Sequence, residues 1–375
     1  MSTFIIAKVR SNAYSAPFDL QVAAKTLKAY GRKWSTLREQ FKLHDVRPGA
    51  GWDEFIAKLA ASHEDYAAVG SVFETIYREQ ILLGSRSCRV YNDDTFEWQT
   101  LIDRVQSFPV LSTSFGNSYP LPLSTPILKG LSSDTMELVS RELLHNGDLK
   151  LVFCSPRKIV SRQQLNPNQL SQQFTDRLAT VIGGFDSLIA LTSTYAQAYD
   201  VVVVRPSMAR MEIRLDHPHT MDADVVAEQC TRILQLLEQI YSGVSTIMTA
   251  ALNFFPIIGA MYLDRKCGVV EQLWFGTDTS SLKREVMRKT KLDLRDENFH
   301  VGGVTKLGGS TKIKPYAIRI HFDKLESKDS QVRVALHGNF KDLSIPAAVL
   351  SDVSIENCLN ETEFRAALKR LVAFS

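Results

Sequence analysis

The sequence predicts an α+β protein, in which an N-terminal helical lobe is followed by a mainly antiparallel sheet domain with packed helices. Apolar residues recur at three- and four-residue spacing over residues 18–108, which indicates amphipathic helices. Residues 208–216 and the two arms of a late hairpin, 316–322 and 332–336, instead alternate between two faces, the period of a half-buried strand. Helical and strand segments segregated in this way favour the α+β class.

The chain of 375 residues is longer than a single hydrophobic core usually supports, so more than one domain is expected. Residues 1–108 form the predicted helical lobe. Residues 109–126 contain four prolines with serines between them, which predicts a linker without regular structure. Residues 127–375 form the predicted α+β domain.

Each element of the α+β domain has a local signal. Asn166 and Pro167 are typical of a helix start, and Gly183 and Gly184 of its end. The predicted antiparallel strands after that helix are Ser187–Tyr195, Asp200–Val204 and Met208–Asp216. Asp222 can cap the next helix, which has a continuous apolar stripe. A late hairpin follows near residues 316–336, and a closing helix begins at Asn360.

Composition narrows the classes of protein without naming one. Apolar residues make up 45% of the chain and charged residues 23%, as in ordinary globular proteins. The net charge of +3 does not demand a polyanionic partner, so basic patches must be local. The five cysteines are too far apart for a CxxC pair or a thiolate zinc knuckle, and buried reduced thiols are expected. No cofactor and no metal site is predicted.

Two segments bear on localisation. Met1–Arg10 lacks the apolar core of a secretion signal, which together with the odd number of cysteines favours a cytoplasmic protein. Gln239–Leu263 carries no charge over 25 residues, a length that could cross a bilayer. Polar residues, Pro256 and Gly259 interrupt it, so buried core elements are expected there; a partner contact stays open, and a membrane association is not expected.

One strand concentrates acids and bases by geometry. In Met208–Asp216 the apolar residues occupy one face, and the other face carries only Arg210, Glu212, Arg214 and Asp216. Such alternating charges predict a cross-strand salt ladder or a partner surface on a solvated sheet face.

Asp200 and Glu212-Ile213-Arg214 also resemble the acid-hairpin-acid-x-lysine arrangement of the PD-(D/E)XK nuclease fold. The resemblance covers about twenty residues and implies a metal held by Asp200 and Glu212, with Arg214 on the phosphate. Arg214 stands where that fold has lysine, and arginine does not release its proton near neutral pH.

Three basic groups are candidates for phosphate binding. The first interleaves cations with an aromatic side chain, as a nucleic-acid strand favours: Lys25, Lys28, Arg32, Lys33 and Trp34. The second is expected on a helix: Lys283, Arg284, Arg288 and Lys289. The third shares one face of the late hairpin if its strands pair in the register of their apolar residues: Arg319, His321, Arg333 and His337. Solvated polar faces are the alternative for all three.

Two further patterns fall short of a site. Gly303–Ser310 approaches a phosphate loop, but Gly309 replaces the lysine that should reach the nucleotide, so a flexible turn is expected. His217 and His219 are separated by a proline in an extended turn, which disfavours a shared metal.

The leading hypothesis is therefore a non-catalytic protein that binds DNA or RNA, or a subunit of a nucleic-acid-handling assembly. Genome defence would suit such a protein, although no residue specifies it. A metal-dependent phosphodiesterase using Asp200 and Glu212 is the enzyme alternative, and a protein-only adaptor or homo-oligomer is the third. An enzyme is the less favoured interpretation because no catalytic motif is complete.

Overall fold

The computed structural model describes residues 18–61, 67–108, 112–165, 171–182, 188–216, 221–289, 292–322, 325 and 332–374. Within these ranges the α-helices are α1 Leu20–Ala29, α2 Trp34–Leu43, α3 Trp52–Ala60, α4 Ala67–Leu83, α5 Trp98–Ser107, α6 Ser114–Ser118, α7 Thr125–Gly130, α8 Gln172–Ile182, α9 Ala223–Ile240, α10 Phe255–Leu263, α11 Asn298–Leu307 and α12 Glu361–Val372. The strands are β1 Arg86–Asn92, β2 Glu137–Leu143, β3 Leu149–Leu165, β4 Leu188–Arg205, β5 Arg210–Asp216, β6 Val269–Thr277, β7 Leu282–Val286, β8 Ile313–His321, β9 Arg333–His337 and β10 Asp352–Glu356.

All ten strands form one sheet in the order β2-β3-β4-β5-β1-β10-β9-β8-β6-β7. Every pairing between neighbours is antiparallel. The α+β class is therefore confirmed, with the N-terminal helical region that the sequence predicted.

Helices cover the two halves of the sheet differently. On β1–β5, helices α5 and α9 pack on one face through a cluster that includes Ile233 and Ile213. The N-terminal helices pack on the opposite face, where Phe73 lies in one cluster with Tyr199. On β6–β10, helices α10 and α12 cover the face that carries Ile320. No residue from the opposite face of β6–β9 belongs to a hydrophobic cluster of the described residues.

The predicted helical lobe, residues 1–108, also contains a strand of the sheet. Strand β1 lies within residues 1–108 but pairs with β5 and β10 in the middle of the sheet. The expectation of no regular structure over 109–126 is wrong, because α6 lies there and α7 begins there. Thr113 caps α6 by accepting a hydrogen bond from Gly116 N at 3.1 Å. The division at this segment stays a prediction.

Several local expectations can be compared with the elements. One strand, β4, spans the two that were predicted between Ser187 and Val204. A helix does follow Pro167 as α8, but Asn166, Pro167, Gly183 and Gly184 themselves lie outside the described residues. Asp222 occupies the N-cap position of α9 without a side-chain cap hydrogen bond. Asn360 caps α12 by accepting from Glu363 N at 3.0 Å.

The uncharged segment Gln239–Leu263 includes the end of α9, a 3-10 helix at Val244–Ala250, and α10. Among the described residues, no helix has the length and apolar character that crossing a membrane requires. Phe254, Ile258 and Met261 are buried in the core. All five cysteines are free and buried, as predicted.

Candidate nucleic-acid interface

The ionisable face of β5 is buried, so the expected solvated salt ladder is wrong. Glu212 and Arg214 are each only 1% exposed, and Arg210 and Asp216 are also buried. The face lies beneath α12, whose Phe364 ring is 3.9 Å from the Arg214 guanidinium. These charges are therefore part of the interior.

Glu212 is the centre of a buried ion-pair network. It accepts from Arg205 Nε at 2.6 Å and from Arg214 Nη2 at 2.6 Å. Arg214 Nη1 donates in turn to Glu361 at the start of α12, at 2.7 Å. Burial raises the pKa of the Glu212 carboxyl, but the two arginines outweigh it and hold the pKa below its usual range. The network fastens α12 to the middle of the sheet.

Asp200 and Glu212 do not come together. Val203 pairs with Glu212 and Val201 with Arg214, so Glu212 shares a face with the odd-numbered valines of β4 and Asp200 projects from the other face. Asp200 is held by Arg157 Nη2 at 2.7 Å and by Asp216 N at 2.8 Å. Burial raises its pKa more than Arg157 lowers it.

The two-carboxylate metal site that the nuclease resemblance implied is thus not formed. Arg214, expected on the phosphate, is 1% exposed and bonded to Glu212 and Glu361. Among the described side chains, no group of three or more His, Cys, Asp or Glu could hold a metal ion.

The late hairpin pairs in the predicted register. His321 lies opposite Arg333, and Ala317 lies opposite His337. Because Arg319 lies two residues from each of Ala317 and His321, its side chain is on the same face. Asp323, two residues beyond His321, lies outside the described residues. The third basic group is therefore brought together.

Strands β6 and β7 extend that face. Trp274 pairs with Ala317 on one side and with Arg284 on the other. The Arg284 guanidinium lies 4.4 Å from the centre of the Trp274 ring, and the His337 ring centre lies 6.4 Å from it. We call this surface the basic sheet face, and it consists of Trp274, Arg284, Arg319, His321, Arg333 and His337.

Acidic side chains hold two of these arginines in place. Arg319 Nη2 donates to Glu356 at 2.9 Å, and Arg333 Nε donates to Glu271 at 3.0 Å. The arginine side chains remain 25% and 19% exposed, whereas Glu356 and Glu271 are 12% and 5% exposed. The cations are therefore the more accessible members of both pairs.

The second basic group is not helical, which corrects the prediction. Lys283 and Arg284 lie on the edge strand β7, and their side chains project from opposite faces. Arg288 and Lys289 are exposed beyond the end of that strand. Only Arg284 of this group joins the basic sheet face.

A series of side-chain hydrogen bonds connects the edge strand β7 to helices α11 and α10. Glu285 Oε2 of β7 is 2.5 Å from His300 Nδ1 of α11, and His300 Nε2 is 2.9 Å from the Tyr262 hydroxyl of α10. His300 is 3% exposed. Strand β7 is thus fixed to two helices, and this positions Arg284 beside Trp274.

The first basic group is dispersed. Lys28 pairs with Asp53 at 2.6 Å, while Lys25 and Lys33 are exposed. The Trp34 ring packs 5.3 Å from Trp52 and 5.4 Å from Phe55, against the core of the N-terminal helices. Arg32 lines a cavity instead.

The segment Gly303–Ser310 begins as helix, which corrects the expectation of a flexible turn. Residues 303–307 belong to helix α11, and Gly308 and Gly309 end it with positive φ. His217 and His219 lie outside the described residues.

Comparisons with known proteins identify no relative: no protein-family model matches the chain, and no curated protein matches it.

Sequence reasoning missed Trp274, which is central to the basic sheet face. Its signal was present, because Leu273 and Phe275 are apolar neighbours on either side of it, and an aromatic residue between them can project from the other face of a strand. Arg284 was named, but with the wrong secondary structure.

Proposed function

We propose that this protein binds single-stranded nucleic acid on the basic sheet face, as a non-catalytic binding protein or as the binding subunit of a larger assembly. The observation that carries the proposal is the position of Trp274 on a partly exposed sheet face, between Arg284 and the arginines of the late hairpin.

The dimensions of the surface suit an extended strand. Neighbouring strands are ~4.8 Å apart, so β9, β8, β6 and β7 together span roughly 14 Å. Open four-stranded sheets can stack about two or three bases on exposed aromatic rings. Trp274 offers one ring, and Arg284 adds a planar guanidinium that also stacks on bases.

The charges suit the backbone of the same strand. Arg284, Arg319 and Arg333 are three permanent cations on this surface; the latter two are the more exposed members of their ion pairs with Glu356 and Glu271. His321 and His337 add two imidazole rings to the same basic sheet face. A single strand is favoured over a duplex because stacking on Trp274 requires unpaired bases.

The direct test is fluorescence anisotropy of the purified chain with labelled 15-nucleotide thymidine and uridine strands and with a duplex. We expect binding of both single strands and weaker binding of the duplex. About three neutralised phosphates give a slope near −2 for log K against log salt, so affinity falls roughly 15-fold between 50 and 200 mM salt. Absence of binding to every probe at low salt would remove the proposal and favour a protein-only adaptor.

Trp274→Ala separates stacking from general charge. We expect roughly tenfold weaker binding, the scale of losing about one stacked base. Phe299→Ala is the matched control, since Phe299 is an exposed aromatic residue on α11, outside the basic sheet face. Equal losses in both variants would contradict an ordered stacking site.

A further inference from the structure

A cavity of about 700 Å³ lies between α1, α7 and the paired strands β3 and β4. Its apolar wall includes Val22, Leu128 and Ile159, and its polar wall includes Lys25, Arg32 and Asp216. Sites for small molecules are commonly about 300–1,000 Å³ and combine apolar walls with a few polar groups. The cavity is separate from the basic sheet face.

Arg32 is held in position at this cavity. Its backbone N donates to Leu27 O at 3.0 Å, and its carbonyl accepts from Trp52 Nε1 at 3.1 Å. The guanidinium lies directly over Gly84, where even one methyl group would occupy the same space. The absence of a side chain at Gly84 therefore makes room for the guanidinium.

The guanidinium lacks a partner of opposite charge. Its Nε is buried without a hydrogen-bond acceptor, and it forms no ion pair with any described carboxylate. Asp216 on the cavity wall is engaged by Arg86 Nη1 at 3.3 Å and by Tyr199 N at 3.1 Å. Burial lowers the pKa of Arg32 to about 10, although Asp216 acts in the opposite direction.

Arg32 as a whole is partly buried, but its Nε is a buried donor without an acceptor, and such a group is unfavourable and rare in folded proteins. An anion entering the cavity would supply the missing acceptor, and exposed Lys25 would add a second charge. We infer that the cavity binds a small amphipathic anion, with its carboxylate or phosphate on Arg32 and its hydrocarbon part against Leu128 and Ile159.

Calorimetric titration with octanoate, octyl phosphate and uncharged octanol tests this inference. The wild-type chain is expected to bind the anions more tightly than the alcohol. Arg32→Met should weaken binding of the anions by roughly tenfold or more, the scale of a lost charged hydrogen bond, and leave octanol unchanged. Lys28→Met is the matched control on α1, because Lys28 pairs with Asp53 and does not line the cavity.

Thermal unfolding without ligand gives an independent readout. Arg32→Met should melt at the same temperature as the wild type or higher, because it removes a partly buried charge whose Nε has no acceptor. If Arg32→Met does not fold, Lys25→Met replaces it in the test. Lys25→Met should weaken binding of both anions and leave binding of octanol unchanged. No binding of either anion to the wild type, or unchanged binding in the variant that folds, would overturn the inference.

Discussion

Strands β5 and β8 carry similar alternations of apolar and ionisable residues, yet their ionisable faces differ in exposure to solvent. On β5 that face lies under α12, and Glu212 and Arg214 are each 1% exposed. On β8 it is partly exposed, and the Arg319 side chain remains 25% exposed. Alternation therefore determines which side chains share a face, whereas the helices supplied elsewhere in the chain determine whether water reaches them.

The two surfaces also differ in how completely their charges are paired. Glu212 has an arginine on each side, and its network continues through Arg214 to Glu361. On the basic sheet face, Arg284 contacts a ring instead of a carboxylate. The first arrangement is suited to holding elements together, and the second leaves charge for a ligand.

The comparison predicts its largest effect at Glu212. Glu212→Ala leaves Arg205 and Arg214 buried with an acceptor missing, and breaking a buried pair typically costs about 3–5 kcal/mol of unfolding free energy. Urea denaturation measures the loss. Glu228→Ala, an exposed change on α9, should stay within roughly 0.5 kcal/mol. A loss as small as in that control would show that the network does not fasten α12.

Acid titration sharpens the same distinction between buried carboxylates. The folded-state pKa of Glu212 lies below its ordinary value of about 4.3, so its stabilisation is present above that pH and is lost as pH falls through the folded pKa. Asp200 has a raised pKa, so its contribution is present below about 3.9 and is lost as pH rises through the folded pKa.

Relative to the wild type, Glu212→Gln should therefore lose more stability at pH 6 than at pH 3.5, whereas Asp200→Asn should become relatively more stable as pH rises from 3.5 to 6. Urea denaturation of the three proteins at both pH values measures the differences. Parallel shifts in the two variants would contradict the assignment of opposite pKa directions.

Much of the fold could be predicted because its signals are local. The stripe of α9, the cap of α12 and the register of the late hairpin depend on residues close in sequence. The packing of α12 over the ionisable face of β5 could not be predicted, since Glu361 lies 147 residues from Arg214. For the same reason the linker prediction failed: α6 contacts β2, and α7 contacts β4.

The candidate site was predictable only in part. Arg319, His321, Arg333 and His337 follow from strand alternation once their hairpin is recognised. Joining Arg284 and Trp274 to them requires the order β9-β8-β6-β7, which neither charge nor periodicity encodes. The cavity at Arg32 depends on contacts among α1, α7 and the β3–β4 pair, which no short segment reveals.

The most direct measurement compares two charge reversals on one strand. Arg284→Glu and Lys283→Glu change the net charge of the protein by the same amount at neighbouring exposed positions. Only Arg284 lies on the basic sheet face. In anisotropy titrations with a labelled single strand, Arg284→Glu should weaken binding roughly tenfold, and Lys283→Glu by clearly less. Equal weakening by the two variants, or none by Arg284→Glu, would contradict binding on this face.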